Sequence, residues 1–518
     1  MKATHRATLI LSALTGIGLF GCSLLYGPLI GPHPGNCNNN PAVCTSSQQC
    51  DEPTGTCVQR CASASDCETG LCDTLLCAAM PTVATLTPGQ VPTAGGVDVT
   101  IAGANFAAAV ADVTVMFGTQ TAVVKQASAT SLVVTAPANL GKSGPVNVVI
   151  TNKSGGMVTR TNGISYYFAT PTFAARTDLT LPGSAMNGGE VTTGDLDGDG
   201  NLDLIATSSG SASVSVLLGK GDGAFNTRTD YGAGSNVDGV AIADVNGDNK
   251  PDVVVANNGA NTLTVFLNKG DGTGGLNVGV SLNTASGPSG MAVGDFDGDK
   301  KQDLIVGHSS DPKVGVLLGN GDGTFKARID IPALSSGSVT VGDVNGDDKT
   351  DVCASTAQSA NGFILLGNGD GTLQAPVLLG TGSNGTRSCV LADFNADGKL
   401  DVAFSTTGSL LHVFTGKGDG TFNARADYTT SGDNFAIRSV DLNGDGFTDL
   451  LAASSDSSEA TIHFNQGKGT FAPIPMSLAT TGPLRSVSYG DFNKDGKPDV
   501  VGRSLAGSSL SLLLNTSQ

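Results

Sequence analysis

Asp195-Leu-Asp197-Gly-Asp199-Gly-Asn201-Leu-Asp203 is the stretch on which the fold turns, because it returns six more times along the chain. The later copies begin at Asp244, Asp295, Asp343, Asp393, Asp441 and Asp491, at steps of 48 to 51 residues. Each keeps an acid or amide at positions one, three, five and nine. The second copy offers Asp244, Asn246, Asp248 and Asp252, and the third Asp295, Asp297, Asp299 and Asp303. The fourth has Asp343, Asn345, Asp347 and Asp351, and the fifth Asp393, Asn395, Asp397 and Asp401. The sixth has Asp441, Asn443, Asp445 and Asp449, and the seventh Asp491, Asn493, Asp495 and Asp499. Oxygens at alternate positions converge on one hard cation, and calcium takes six to eight of them. Position seven (Asn201, Lys250, Lys301, Lys349, Lys399, Phe447, Lys497) varies in chemistry, as expected if it contributes only its backbone carbonyl.

These loops are not EF-hands. That motif needs a Glu at position twelve and flanking helices. Position twelve here is Ala206, Val255, Val306, Ala354, Phe404, Ala452 or Gly502, inside runs that read as strands. Asp-Gly and Asn-Gly pairs also serve as plain turn residues, but seven loops with the same four oxygen positions argue for metal sites.

The chain has 518 residues, 72 of them Gly, no Trp, and a formal net charge of −18. Such a composition suits short strands joined by tight turns. The four acidic positions of the seven loops hold 23 carboxylates, and seven divalent ions would bring −18 to −4. The acidity is therefore mostly metal-site charge, and it argues against nucleic-acid binding, which needs a basic face.

Residues 1–21 carry Lys2 and Arg6 and then an apolar run, the layout of an export signal. Leu19-Phe-Gly-Cys22 resembles the bacterial lipobox, which implies lipidation of Cys22 and a place at the outer membrane or cell surface. Phe20 departs from the small residue usual there, and a plain secretory signal is the alternative. After a linker over 22–36, residues 37–79 hold eight cysteines: Cys37, Cys44, Cys50, Cys57, Cys61, Cys67, Cys72 and Cys77. So short a segment has little core, and in an oxidising compartment four disulfides are expected, with connectivity left open. No two of these cysteines have the Cys-x2-Cys spacing that zinc would want.

Residues 80–168 read as alternating β runs with Gly, Pro and Asn punctuation, a small β-sandwich. Leu86-Thr-Pro88, Gly103-Ala-Asn-Phe106 and Phe117-Gly118 resemble an IPT/TIG domain, an immunoglobulin-like module. From 169 to 518 each repeat reads as four strands. An apolar strand ending in a small residue (Val191–Gly194, Val240–Ala243) leads into the acidic loop. A second and third strand follow, then a turn such as Gly219-Lys-Gly-Asp-Gly223, then a fourth strand from Phe225, Phe325 or Phe422. Four strands per ~50 residues repeated around an axis is a β-propeller blade, so the chain is expected to be all-β with seven blades. The last unit stops after Leu510–Leu514. An orphan, Phe173-Ala-Ala-Arg-Thr-Asp-Leu179, repeats the Phe, Arg, Thr and Asp of Phe225–Tyr231 and is expected to complete it.

The units resemble FG-GAP/VCBS repeats, the blades of integrin α-subunit heads and of many bacterial surface proteins. The resemblance implies calcium, up to seven ions, held by the acidic loops. At tenfold above Kd each ion adds about 1.4 kcal/mol, or roughly 10 kcal/mol for seven, so calcium is expected to be structural. Position six departs from Gly at Asn249, Lys300 and Asp348, and the third site is expected to be weakened by Lys300.

No catalytic residue stands out. His33, His308, His412 and His463 share no motif, and Cys353 and Cys389 read as buried thiols or as an inter-blade disulfide. The sequence therefore points to non-enzymatic adhesion or recognition of a protein or shallow polar or glycan ligand. By analogy with integrin heads, the contact face is opposite the calcium loops: Ser208–Ser213, Asn257–Asn261, Ser309–Lys313, Ala357–Asn361, Thr406–Ser409, Ser455–Glu459 and Leu505–Ser509. The alternatives are a propeller enzyme acting on polysaccharide and a structural envelope lipoprotein within a larger assembly.

Overall fold

The structure is a computed structural model. It describes residues 48–51, 56–59 and 80–517, apart from 140–143, 155, 168–169, 183–188, 383–384, 468, 473–474 and 506. The export signal, the Cys22 lipidation site and six of the eight clustered cysteines lie outside the described residues. Of that cluster, the strands Gln48–Asp51 and Thr56–Gln59 pair antiparallel, with Cys50 opposite Cys57 in register.

Residues 82–167 form an eight-stranded β structure. Its long strand Gln120–Ala127 pairs at its start with Val113–Phe117 and further along with Ser131–Thr135, with a register shift between Val124 and Gln126. One strand thereby serves both layers of a sandwich, as bulged strands do at sandwich corners. Val99, Ile101, Val115, Leu132, Val134, Val148, Ile150 and Tyr166 fill the space between the layers. The Tyr166 hydroxyl, carried into the core with its ring, donates to the Pro137 carbonyl at 2.8 Å.

Seven four-stranded antiparallel sheets follow, six of them each built from one repeat. In the first, Val191–Gly194, Asp203–Ser208, Ser213–Leu217 and Thr229–Gly232 lie side by side from the central channel outwards. The second strand of that sheet is buried at all six positions, whereas the outer strand is exposed at three of its four. A middle strand sandwiched between neighbouring blades has no solvent face, so its sequence runs apolar or small without alternation. The core accordingly lies between blades: Ile205, Val214 and Val216 of the first pack against Val237, Val240, Val253 and Val255 of the second.

The fourth strands begin later than the sequence suggested, at Thr229, Ile329 and Ala426 rather than at Phe225, Phe325 and Phe422. Each of these Phe residues instead makes a single bridge, to Gly219, Gly319 or Gly416, that closes the turn. Phe225 packs edge-on to Phe492 of the preceding blade, with centroids 5.7 Å apart. The apolar signal marked a packing contact there rather than a strand start.

Cys353 and Cys389 are buried free thiols. They sit in one core cluster between the fourth and fifth blades with Val344, Ile364 and Phe404. Burial, with the Cys389 thiol as hydrogen-bond neighbour, raises the Cys353 thiol well above its usual range.

The orphan strand closes the ring. Thr177–Thr180 pairs antiparallel with Ser509–Leu513, Thr177 opposite Leu512 and Thr180 opposite Ser509. Phe173 bridges Asn515 as Phe225 bridges Gly219. The seventh blade thus takes its outer strand from the start of the repeat region, and no inner edge is left to pair with another chain. Deleting residues 169–181 removes this strand together with Leu179 and the buried Leu181. The expected cost is on the order of 5 kcal/mol, read as a lower melting temperature for the whole ring. A truncated protein that melts like the parent would contradict closure.

Candidate metal centres and the channel mouth

Each acidic loop joins the innermost strand of a blade to the second, so all seven open on the same face of the ring. The carboxylates arrange the loop before any ion is considered. The position-one Asp accepts the position-six backbone N–H at 2.7–2.9 Å in all seven loops, as Asp195 does from Gly200. The position-three side chain accepts the position-five N–H at 2.9–3.2 Å. The position-five Asp accepts the position-seven N–H at 2.7–3.0 Å.

This wrapping requires a left-handed residue at position six. Gly200 (φ 81°) fits at no steric cost, whereas Asn249 (φ 61°), Lys300 (φ 65°) and Asp348 (φ 60°) adopt the same conformation with a side chain attached. In the two loops with Asp at positions one, three and five, one oxygen from each acid comes together within 4.8 Å: Asp195, Asp197 and Asp199, and Asp295, Asp297 and Asp299. Convergent, partly exposed hard oxygens fit a hard divalent cation. In the other five loops Asn replaces the middle acid, and its amide oxygen takes the same place.

Position nine differs in kind. Asp203, Asp252, Asp303, Asp351, Asp401, Asp449 and Asp499 are all fully buried. One oxygen accepts the N–H of position two, Leu196 for Asp203 at 2.7 Å. The other accepts the N–H at the end of the third strand, Gly219 at 2.8 Å. The same pair of bonds recurs in every blade. The sequence assigned this residue only as a ligand. It also ties the metal loop to the third strand, a role that its 16-residue separation from Gly219 gave no means of seeing.

Position seven is likewise more than a carbonyl. The Asn201 amide donates to Asp199 at 2.7 Å, and the Lys301 ammonium pairs with Asp299 at 2.8 Å. Lys349 and Lys497 lie 3.4 Å from Asp347 and Asp495. These side chains offset part of the loop charge.

The sixth loop is covered. Asn443 and Asp445 are 4% and 7% exposed, and the Gln90 amide of the β-sandwich donates to the Asp445 carbonyl. Burial pushes Asp449 up to about 8, and Asp203, Asp401 and Asp499 up to about 6.

At the opposite end of the channel the innermost strands of several blades bring together side chains that the sequence did not single out. Arg387 and Arg485 lie 4.2 and 4.6 Å from the Phe435 ring centroid. Arg387 pairs with Asp433 at 2.9 Å, and Arg485 with Asp238 at 2.7 Å. Glu190 faces the same space, and burial raises its carboxyl. The space left is about 20 Å³, room for about one water. His308, His412 and His463 lie apart from this cluster on separate blades, buried among strands.

Among protein families, residues 195–502 match the FG-GAP-like repeat in six overlapping units, each spanning two consecutive loops. The chain belongs to the FG-GAP-like repeat family. Residues 81–167 of this FG-GAP-like protein match the IPT/TIG domain. No curated protein matches the chain in sequence. Among solved structures it is similar to BBS1N in complex with ARL6DN, at 13% identity and TM-score 0.49, over 68% of this chain and 99% of that one. It is also similar to a lectin from Agrocybe aegerita that recognises non-reducing terminal N-acetylglucosamine, at 20% identity and TM-score 0.43, over 70% and 94% of the two chains. A third is an auxiliary nutrient binding protein from Bacteroides ovatus, at 12% identity and TM-score 0.40, over 84% and 98%.

Two expectations follow for the FG-GAP-like ring. Asp203→Ala leaves two buried N–H groups unpaired and is expected to cost about 3 kcal/mol with or without metal. Asp199→Ala, at an exposed position, is expected to lower the melting temperature more in calcium than in chelator. Thermal melts of both variants in calcium and in chelator check the distinction.

The raised carboxyls also set a pH dependence. In the metal-free protein the folded state holds protons that the unfolded chain, with ordinary Asp values near 3.9, has already lost. Stability of the metal-free protein is therefore expected to fall as pH rises from about 4 through 6, and on to about 8 for Asp449. Melts in chelator across pH 4.5–8.5 read this slope.

Proposed function

We propose that this protein is exported, carried on the cell surface by a lipid on Cys22, and works as a calcium-stabilised, non-enzymatic binding and adhesion module. The observation that carries the calcium reading is the seven-fold recurrence of one wrapped loop. Its oxygens at positions one, three and five converge where a hard cation is satisfied, and its position-nine carboxylate anchors the loop to the blade. Calcium, when bound, supplies charge neutralisation. The chain's own residues hold the loop shape, orient the oxygens and join inner strand to third strand. Seven near-equivalent sites provide no single place for catalysis, which is the argument for a binding role.

The contact face is the one opposite the metal loops. The turns between second and third strands open there, among them Ser208–Ser213, Asn257–Asn261 and Ser309–Lys313. They are short and polar, suited to a protein or to a glycan held by shallow polar contacts. At the centre of that face sit Arg387, Phe435 and Arg485, cationic and aromatic groups of the kind that anchor recognition surfaces.

The first test is calcium stoichiometry and melting temperature of the full chain, with and without chelator. Near seven ions per chain and a loss of stability on chelation are expected, while few ions and an unchanged melt would remove calcium from the account. For recognition, the full chain in calcium would be applied to a glycan array and to a panel of immobilised extracellular proteins, beside Arg485→Ala. Binding that falls at least about tenfold in the variant is expected if the mouth contributes a charged contact. Acyl labelling in the expressing cell, abolished by Cys22→Ser, tests the anchor.

A further inference from the structure

A groove lies on the loop face of the ring, between the second and third acidic loops. Its volume is about 550 Å³, within the range of small-ligand sites. In a chain with 46 acidic and 28 basic residues, the groove is lined by Lys300 and Lys301 against Asp244. Asp244 is engaged by its own loop, accepting from Gly247 and Asn249 at 2.7 Å each. Lys301 is paired with Asp299. Among the described residues the Lys300 ammonium has no partner.

The rest of the lining has a second character. The side-chain amides of Asn249 and Gln302 make no hydrogen bond among the described residues, and Asn320 uses only its amide NH₂, on Thr324 at 2.9 Å. Ile242 and Val293, half-buried at the ends of two inner strands, form an apolar part of the wall. A free cation, spare amides and a small aliphatic patch match a ligand with a carboxylate, several hydroxyls and a C–H face.

The backbone places two of the lining side chains. Position six of the loop is left-handed throughout, and the first, fifth, sixth and seventh loops fill it with Gly. The two loops that border the groove place Asn249 and Lys300 there, at φ 61° and 65°. The fourth loop, which does not line the groove, carries Asp348 in the same conformation at φ 60°, so the position tolerates a polar side chain; at the groove it sets the Asn249 and Lys300 side chains in the wall. We infer that the groove between the second and third metal loops is a binding site for an acidic saccharide, with Lys300 holding the carboxylate and Asn249, Gln302 and Asn320 the hydroxyls. This site is separate from the opposite face proposed above, so either can fail without the other.

The strained position provides a clean test, because Lys300→Gly removes the ammonium while installing the residue that four other loops use. The full chain in calcium would be titrated calorimetrically with trigalacturonic acid and, in parallel, with a neutral galactose trisaccharide. The expected result is saturable binding of the acidic sugar alone. Lys300→Gly should weaken it at least about tenfold, as loss of a charge-assisted contact does, with an unchanged or raised melting temperature, and Lys300→Arg should retain binding. A structural role for Lys300 alone would move the melt and leave binding unchanged. Equal binding of parent and Lys300→Gly would overturn the site, as would no binding at millimolar sugar. Equal binding of the neutral trisaccharide would overturn its preference for acid.

Discussion

Every blade depends on a buried carboxylate that bridges two backbone N–H groups. At position nine an Asp with no solvent exposure accepts from the residue that follows the loop's first Asp and from the end of the third strand. The first partner is itself a core anchor: Leu196, Val245, Phe296, Val344, Phe394, Leu442 and Phe492 are each at most 3% exposed. One side chain therefore fixes the entry of the loop, the start of the second strand and the end of the third at once. Burying an ionised carboxylate is costly unless it is well hydrogen-bonded, and burial indeed raises Asp203, Asp401 and Asp499 towards protonation. A cation held by positions one, three and five would favour the ionised form.

The ring is a sum of such units, and its weak point is where it closes. Blades share cores pairwise, so an unfinished seventh blade would leave the edge of Ser509–Leu513 and part of a shared core open. The strand Thr177–Thr180 covers that edge from some 330 residues away in sequence. Closure of so long a loop costs only a slowly growing entropy, and a full set of ladder bonds with Leu179 and Leu181 offsets it.

The two ends of the channel are chemically unlike. One carries seven acidic loops, with a groove beside Lys300 whose lining holds two lysines and one aspartate. The other carries short polar turns around an Arg387–Phe435–Arg485 stack in which Arg485 of the seventh blade reaches Asp238 of the second, past the first blade. The pocket beside that bridge has space for about one water.

Much of this was legible in the chain. A nine-residue oxygen pattern returning every ~50 residues, apolar runs ending in small residues, and an orphan Phe-x-x-Arg-Thr-Asp segment were enough for seven blades and their closure, because these are local signals repeated in register. The need for left-handed backbone at position six was also readable, since Gly there is replaced mainly by Asn and Asp. Phe225 was misread as a strand start, because an apolar residue that packs across blades looks the same in sequence as one that begins a strand. Long-range pairings gave no local sign: the Asp203 bond to Gly219, the Gln90 contact that covers the sixth loop, the Arg485 bridge to Asp238, and the groove that Asn249 and Lys300 both line. The sequence by itself determined the blade, its loop chemistry and the count, since each is written within one repeat. Only the tertiary structure decided which carboxylates are buried, which loop is covered and where unlike charges gather, because burial and electrostatics depend on neighbours brought together by ring closure rather than by chain order.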